Sequence, residues 1–323
     1  MVVQERTVGH TADAVSYPAT GERTSRFRQQ KLAPWMEETP LWLRIVKAVT
    51  LVFIAAIMLL PFVNVVAVSF SSAKDVIEGG FTLFPRNPTL DSYKALLQGG
   101  TVLRALRVSI LLTVFGTAIQ VAFTTAMAYG LSKPSVPGSK FFFAIVLGAF
   151  LFGPGLIPSY LLVKELGLID TYAALVVPGL IGAWNLIILR NFFQNLPQDL
   201  LDAARVDGAS DLGVLRHIAL PLSKAVIAVI ALFTGVGIWN TFFNAILYLN
   251  DASKWPIQVL LRQYVLEGST ITNAGSFPPN HPPPPTEALQ MAMVVLATVP
   301  ILLVYPFLQK YFTKGVLTGA IKG

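Results

Sequence analysis

"LDAARVDGASDLGVLRHIALPLSKA", residues Leu201 to Ala225, carries six charged side chains (Asp202, Arg205, Asp207, Asp211, Arg216 and Lys224) between two long apolar runs. The rest of the chain is of a different make. Of its 323 residues 54% are hydrophobic and only 13% are charged, about half the charged fraction usual in a soluble domain. Mean hydropathy is +0.63. That composition places the chain in the membrane class, so the polar insert needs a reason to exist.

The insert reads as a helix, a glycine turn and a second helix. Pro197 suits a first helical turn, where its missing N–H would be unpaired anyway. Asp199 and Asp202 put negative charge near the positive helix N-terminus. Leu200, Leu201 and Ala204 form one apolar stripe. Gly208 can take the left-handed conformation that ends a helix, and Ser210 then serves as a new N-cap. A second helix over Asp211 to Ile218 carries Leu212, Leu215 and Ile218 at spacings of three. Pro221 marks the return to the membrane. Ala203, Ala204, Gly208 and Ala209 make a knuckle of small residues that lets another surface approach closely, with Asp207 placed to hydrogen-bond the turn backbone. The same pattern also fits an ordinary amphipathic loop capping a helical bundle.

Working outward, a bilayer core about 30 Å thick needs roughly 20 apolar helical residues. Six segments meet or approach this: Ala48–Phe70, Val108–Leu131, Phe141–Val163, Tyr172–Leu189, Ala225–Leu249 and Leu289–Leu308. None contains Asp, Glu, Lys, Arg or His, each of which costs at least about 2.5 kcal/mol at mid-membrane. Ion-coupled carriers and proton pumps usually keep such a residue. Pro61, "FGPGLIPS" (Phe152 to Ser159), Pro178 and Pro300 predict kinked packing, or a bend where a pathway opens. The fold class is therefore all-α, with six transmembrane helices.

The loops give the orientation. With a cytoplasmic N-terminus, sixteen of the 24 Lys and Arg residues lie inside and eight outside. Setting aside the distal Arg6, Arg23, Arg26 and Arg28 leaves twelve against eight. Cytoplasmic loops carry the basic excess, so both termini and the insert are expected inside. The formal net charge of +7 is then a topology signal and calls for no nucleic acid. The expected organisation is a cytoplasmic tail over 1–47, largely disordered with a short surface helix near Trp35 to Arg44. A membrane domain over 48–308 follows, containing the cytoplasmic loop 190–224, and then a cytoplasmic tail over 309–323. The outer loop ends in "FPPNHPPPPT", where Pro282 to Pro285 favour extended polyproline II. This is a stiff spacer or a docking surface for a soluble partner, and His281 stands alone in it.

Several function classes are excluded or disfavoured. Cysteine is absent, which removes disulfides, thiolate metal sites and Cys nucleophiles. The three histidines, at 10, 217 and 281, are scattered, and no H-E-x-x-H occurs, so an integral-membrane enzyme finds no cluster to work with. No G-x-x-x-x-G-K-[ST] is present, hence no phosphate cradle. A secondary carrier or facilitator for neutral solutes is one membrane class to weigh. It predicts two repeated halves or an ion site, and neither is evident.

"DAARVDGASDLGVLRHIALP" resembles the EAA motif of ABC importer permeases: E-A-A, two residues, D-G-A, eight residues, I, one residue, L-P. Asp202, Ala203, Ala204, Asp207, Gly208, Ala209, Ile218, Leu220 and Pro221 fall in register. Asp202 replaces the usual Glu, Leu215 stands where Phe is common, and Ala225 where a final Pro is frequent. "AYGLSKP" (Ala128 to Pro134), "ILRNFFQNLP" (Ile188 to Pro197), "WNTFFNAILYLND" (Trp239 to Asp251) and "YPFLQKYFTKGVLTGAIKG" (Tyr305 to Gly323) are similar to carbohydrate-uptake permeases of the maltose-type, oligosaccharide-handling branch. The resemblance covers about residues 40–323. It implies the type I ABC importer permease fold, with the loop as the coupling element. Asp202, Ala203, Ala204, Asp207, Gly208, Ala209 and Leu215 would then meet a separate ATPase subunit. It further implies a second permease, two ATPases that bind the ATP and Mg, an extracytoplasmic solute-binding protein and a cell-membrane location. The terminal "TGAIKG" would also reach the ATPases. The chain itself would hold no cofactor and catalyse no reaction.

A sugar offers hydroxyls and apolar ring faces, which amides and aromatic rings match. Trp184 and Asn185 in span four, and Trp239, Asn240 and Asn244 in span five, are the candidate path residues. Asn240 and Asn244, four apart, would share a helix face. The same polar groups could instead hold helices together.

Overall fold

The computed structural model describes residues 40–266 and 284–320. The expectations for the N-terminal tail before Pro40, for His281 and the first two prolines of its run, and for the last three residues lie outside this range. Of the expected surface helix, the described part, Leu41 to Arg44, is the first turn of α1. The chain divides into a short unit ending at Ala55 and a larger one from Ala56. All but the first part of α1 belongs to the larger unit.

Helices account for every extended element among the described residues, apart from an isolated antiparallel bridge between Ser71 and Pro88. Span one is α1 (Leu41–Ser69), followed by α2 (Ala73–Glu78) and α3 (Asp91–Gln98) in the loop after it; span two is α4 (Thr101–Ser132). Span three is α5 (Ser139–Leu151) and α6 (Leu156–Glu165), and span four is α7 (Ala173–Val176) and α8 (Ala183–Gln194). The insert holds α9 (Gln198–Val206), α10 (Asp211–Val214) and α11 (Leu220–Leu222), with a π-helical turn over Leu215–Ala219 between the last two. Span five is α12 (Lys224–Trp239) and α13 (Phe243–Tyr248). A 3-10 turn (Ala252–Lys254) and α14 (Ile257–Leu266) come before span six, α15 (Thr286–Ala320).

Each of the six expected segments is thus helical, but only spans one, two and six are single helices long and apolar enough to cross a bilayer. Spans three, four and five are interrupted, and the backbone explains each break. In span three, Gly155 takes φ +79°, closed to most side chains. In span four, the freed carbonyls of Val176 and Leu180 accept from Gln120 Nε2 (3.0 Å) and Thr124 Oγ1 (3.4 Å) on α4. A neighbouring helix thereby supplies the bonds that the broken one lacks. In span five, Asn240 Nδ2 and Thr241 Oγ1 donate to the carbonyls of Val236 and Gly237 at 2.9 and 3.0 Å, closing the end of α12.

Helices in lipid gain little from apolar burial against one another, so small residues at their crossings carry the packing. α4 runs through the middle, against α8 and α12. A Cβ built at Gly116 would lie 3.0 Å from Ile238 Cδ1 and 3.3 Å from Val176 Cγ2. Ala105, Ala128, Ala292 and Ala297 are likewise buried at crossings. Large apolar side chains such as Phe53, Phe115, Phe141 and Leu303 face outward, as a hydrocarbon surround permits.

Candidate functional site

The insert takes the expected helix, turn, helix form. α9 ends at Val206 with Asp207 as its C-cap, and Gly208 follows at φ +83°. Gly208 N–H donates to Arg205 O at 3.0 Å and Ala209 N–H to Ala204 O at 2.9 Å. Ser210 caps α10, its Oγ accepting from Gly213 N–H at 3.2 Å. Three details differ from the sequence reading. Helix α10 passes at Leu215 into a π turn. Pro221 brings no N–H to the carbonyl of His217 and crowds it, so the turn ahead widens. The sharp bend comes at Ser223, two residues beyond Pro221, where the insert meets α12 at 82°. The turn is also closed by backbone groups, with no hydrogen bond from the Asp207 carboxylate among the described residues.

The knuckle is anchored from above. Leu201, Val214 and Ala219 are buried in one cluster with Ala128, Tyr129 and Leu131 of α4 and Leu186, Leu189 and Phe193 of α8. Lys133 pairs with Asp211 and lies 4.3 Å from the centroid of Tyr129, whose hydroxyl donates to Asp211 O at 3.4 Å. The bond from Lys133 holds the Asp211 carboxyl below the usual carboxylate range. Arg190 Nε donates to Leu131 O at 3.0 Å, tying α8 to the same end of α4. These anchors sit in the "AYGLSKP" and "ILRNFFQNLP" stretches, whose resemblance was visible but whose contacts with the insert were not.

The opposite side of the knuckle is bare. Asp202, Ala203, Val206, Asp207 and Gly208 are exposed, and Ala204 and Ala209 half-buried. Val206 and Leu212 are 87% and 72% exposed, which is costly for apolar side chains in water. Asp202 pairs with Arg205 of its own helix at 3.0 Å. Leu215 is half-buried against the anchoring cluster. The arrangement is an exposed small-residue corner with an apolar rim.

The five path candidates separate. Trp239 is 5% exposed, and its Nε1 donates to Ala297 O on α15 at 3.0 Å. Asn185 Nδ2 donates to Thr234 Oγ1 on α12 at 3.2 Å. Trp184 is 56% exposed and stacks on Phe150, ring centroids 6.1 Å apart. Asn240 and Asn244 are exposed, but the helix breaks after Trp239, with Asn240 as the C-cap of α12 and Asn244 on α13, so they do not share the face of one continuous helix. Two groups escaped the sequence reading. Asp170, at φ +61°, accepts from the N–H groups of Asn250 and Asp251 at 3.1 and 3.0 Å and pairs with Lys254 at 2.6 Å, clasping the loop after span three to the loop after span five. Arg262 projects from α14 beside Phe242. Its one sequence signal was its being the lone charged residue in "IQVLLRQYVL".

Residues 41–318 match the family described as binding-protein-dependent transport system inner membrane component. The chain belongs to that family. It is 49% identical over 271 residues to protein LplC of Bacillus subtilis, covering 84% of this chain and 91% of that one. It is 46% identical over 273 residues to the polygalacturonan/rhamnogalacturonan transport system permease protein YtcP of the same organism, covering 84% and 96%. A crystal structure of a bacterial ABC transporter involved in the import of the acidic polysaccharide alginate has a chain that superposes with a TM-score of 0.80. That chain is 30% identical, and the match covers 85% of this chain and all of that one. The chain is therefore a membrane permease subunit of an ABC importer that works with a binding protein. It is a transport component rather than an enzyme, and the secondary-carrier reading is set aside.

Proposed function

We propose that this permease imports oligosaccharides of the acidic, uronate-containing class. It would work in a complex with a second permease, two ATPases that bind the ATP and Mg, and an extracytoplasmic solute-binding protein. The observation that carries the coupling mechanism is the exposed knuckle at Gly208, rigidly seated on α4 and α8 through Tyr129, Lys133 and Leu201. A force applied at Asp202, Ala203, Ala204, Asp207, Gly208 or Ala209 passes into the bundle because α9 and α10 cannot yield separately. Leu215, half inside the anchoring cluster, transmits it to α12 across the 82° bend. The acidic substrate class is supported by the relatives that handle polygalacturonan and alginate. In this reading Trp184, Asn240 and Asn244 touch the sugar, while Trp239 and Asn185 shape the path from behind. Residues 1–47 and 309–323 are cytoplasmic tails of the membrane domain 48–308, which includes the coupling loop 190–224.

The test is reconstitution. The complex purified through a tag on this chain should contain a nucleotide hydrolase and a second permease. In proteoliposomes with its binding protein it should take up trigalacturonate only when ATP is supplied. Uptake without ATP, or a complex that never retains a hydrolase, overturns the reading.

A further inference from the structure

The break in span five and the helix α14 enclose a shallow groove of about 340 Å³. Its apolar walls include Leu261 and Val294, and Phe242 lies across it. Arg262 and Gln258 stand one turn apart on α14 and supply its polar groups. The Arg262 guanidinium lies 5.9 Å from the centroid of the Phe242 ring, within reach of a cation–π attraction. Gln258 Nε2 donates to Asn240 Oδ1 at 3.5 Å, and Asn240 Nδ2 is tied to Val236 O at 2.9 Å, so the groove is fixed to the end of α12.

Among the outer cations, Lys254, Arg86 and Lys94 each pair with a carboxylate, while Lys74, Arg104 and Arg107 pair with none among the described residues. Arg262 is exposed and pairs with none among the described residues. A bare guanidinium against hydrocarbon is expensive, so this surface faces water or polar cargo. A guanidinium fork matches a carboxylate bidentately, an aromatic ring accepts the apolar face of a pyranose, and a Gln amide offers both a donor and an acceptor to hydroxyls. One uronate residue presents all three features.

We propose that the Arg262–Phe242–Gln258 groove is a uronate-binding subsite on the translocation path. Arg262 would hold the sugar carboxylate, Phe242 the ring face and Gln258 a hydroxyl. The proposal rests on the acidic-oligosaccharide reading above and assigns part of the selectivity to the permease itself.

The experiment compares wild type, Arg262→Gln and Arg262→Lys in the complete purified importer with its binding protein, measuring trigalacturonate uptake, ATP hydrolysis and subunit content. Arg262→Gln should lower uptake at least tenfold, and Arg262→Lys should restore part of it, with basal ATP hydrolysis and subunit content unchanged. Wild-type uptake by Arg262→Gln overturns the subsite. So does loss of the partner permease from the Arg262→Gln complex, which would assign the arginine to the subunit interface. A wild-type complex that takes up no trigalacturonate removes the substrate class, and the subsite with it. That result is read on the wild type alone and so is separate from a failure of the variant.

Discussion

Gly208 has open space around it but a backbone conformation that few residues adopt. A Cβ built there meets nothing within 4 Å, yet φ is +83°. Gly208→Val therefore meets no atom at its Cβ and is opposed by the left-handed backbone, a penalty of at least about 1–2 kcal/mol for a β-branched residue, concentrated at the exposed corner. Membrane abundance, read by immunoblot, should stay near wild type while ATP-driven uptake falls tenfold or more; unchanged uptake would remove Gly208 from coupling. The glycine and the Ser210 cap were legible in sequence because their geometry is local. Tyr129 and Lys133 were not, because their partner, Asp211, lies about 80 residues away and only the folded chain brings them together. Asn240 and Asn244 were misjudged in placement for a related reason. A spacing of four implies a shared face only where the helix is continuous. Since both are exposed, replacing them with Leu should change the KM or specificity of uptake while leaving the complex assembled, and unaltered kinetics would argue that they contact no substrate.

At the level of elements, the apolar runs marked all six segments, and the Gly and Pro signals at "FGPGLIPS" and Pro178 marked two of the three breaks, whereas the break after Trp239 carries no such signal. The break in span four depends on Gln120 and Thr124 reaching from α4, a tertiary fact. Gly116, one turn from Gln120, lets α4 lie against Ile238 and Val176. Gly116→Leu should overpack this crossing and cost about 1–3 kcal/mol, read as a lowered thermal midpoint in detergent, with Gly116→Ala milder. The outer clasp gives a pH prediction. The hydrogen bond from Lys254 holds Asp170 below its ordinary value of 3.8, and the same bond raises Lys254 above 10.5. A depressed acid stabilises the fold above its unfolded pKa and loses that contribution as pH falls through the folded value. A raised base contributes below its unfolded pKa and loses it as pH rises through the folded value. The clasp should thus stay closed from about pH 4 to about pH 10.5. Trp255, whose Nε1 donates to Leu249 O at 3.1 Å beside the clasp, reports it: its fluorescence should step below pH 4, and Asp170→Asn should abolish that acid step while keeping a residue that tolerates φ +61°.

For the whole molecule, the direction of every force depends on which side of the membrane the knuckle occupies. The basic residues favour the inside by only twelve against eight once the distal tail is set aside, so orientation is the topological feature with the thinnest sequence support. The chain itself makes it measurable, because it has no cysteine and any thiol introduced is the only one. Ser210 and Ser253 are suitable positions. Ser210 is exposed at the knuckle, and Ser253 is exposed in the 3-10 turn beyond span five. Span five separates the two, so they must lie on opposite sides if Lys224–Tyr248 crosses the bilayer. A membrane-impermeant maleimide should label Ser253→Cys in intact cells and Ser210→Cys only after permeabilisation. Reversal of the pattern would place the knuckle beyond reach of any cytoplasmic ATPase and defeat the coupling mechanism whatever the substrate. Labelling of both from outside would show that the broken span five, α12 and α13, does not cross.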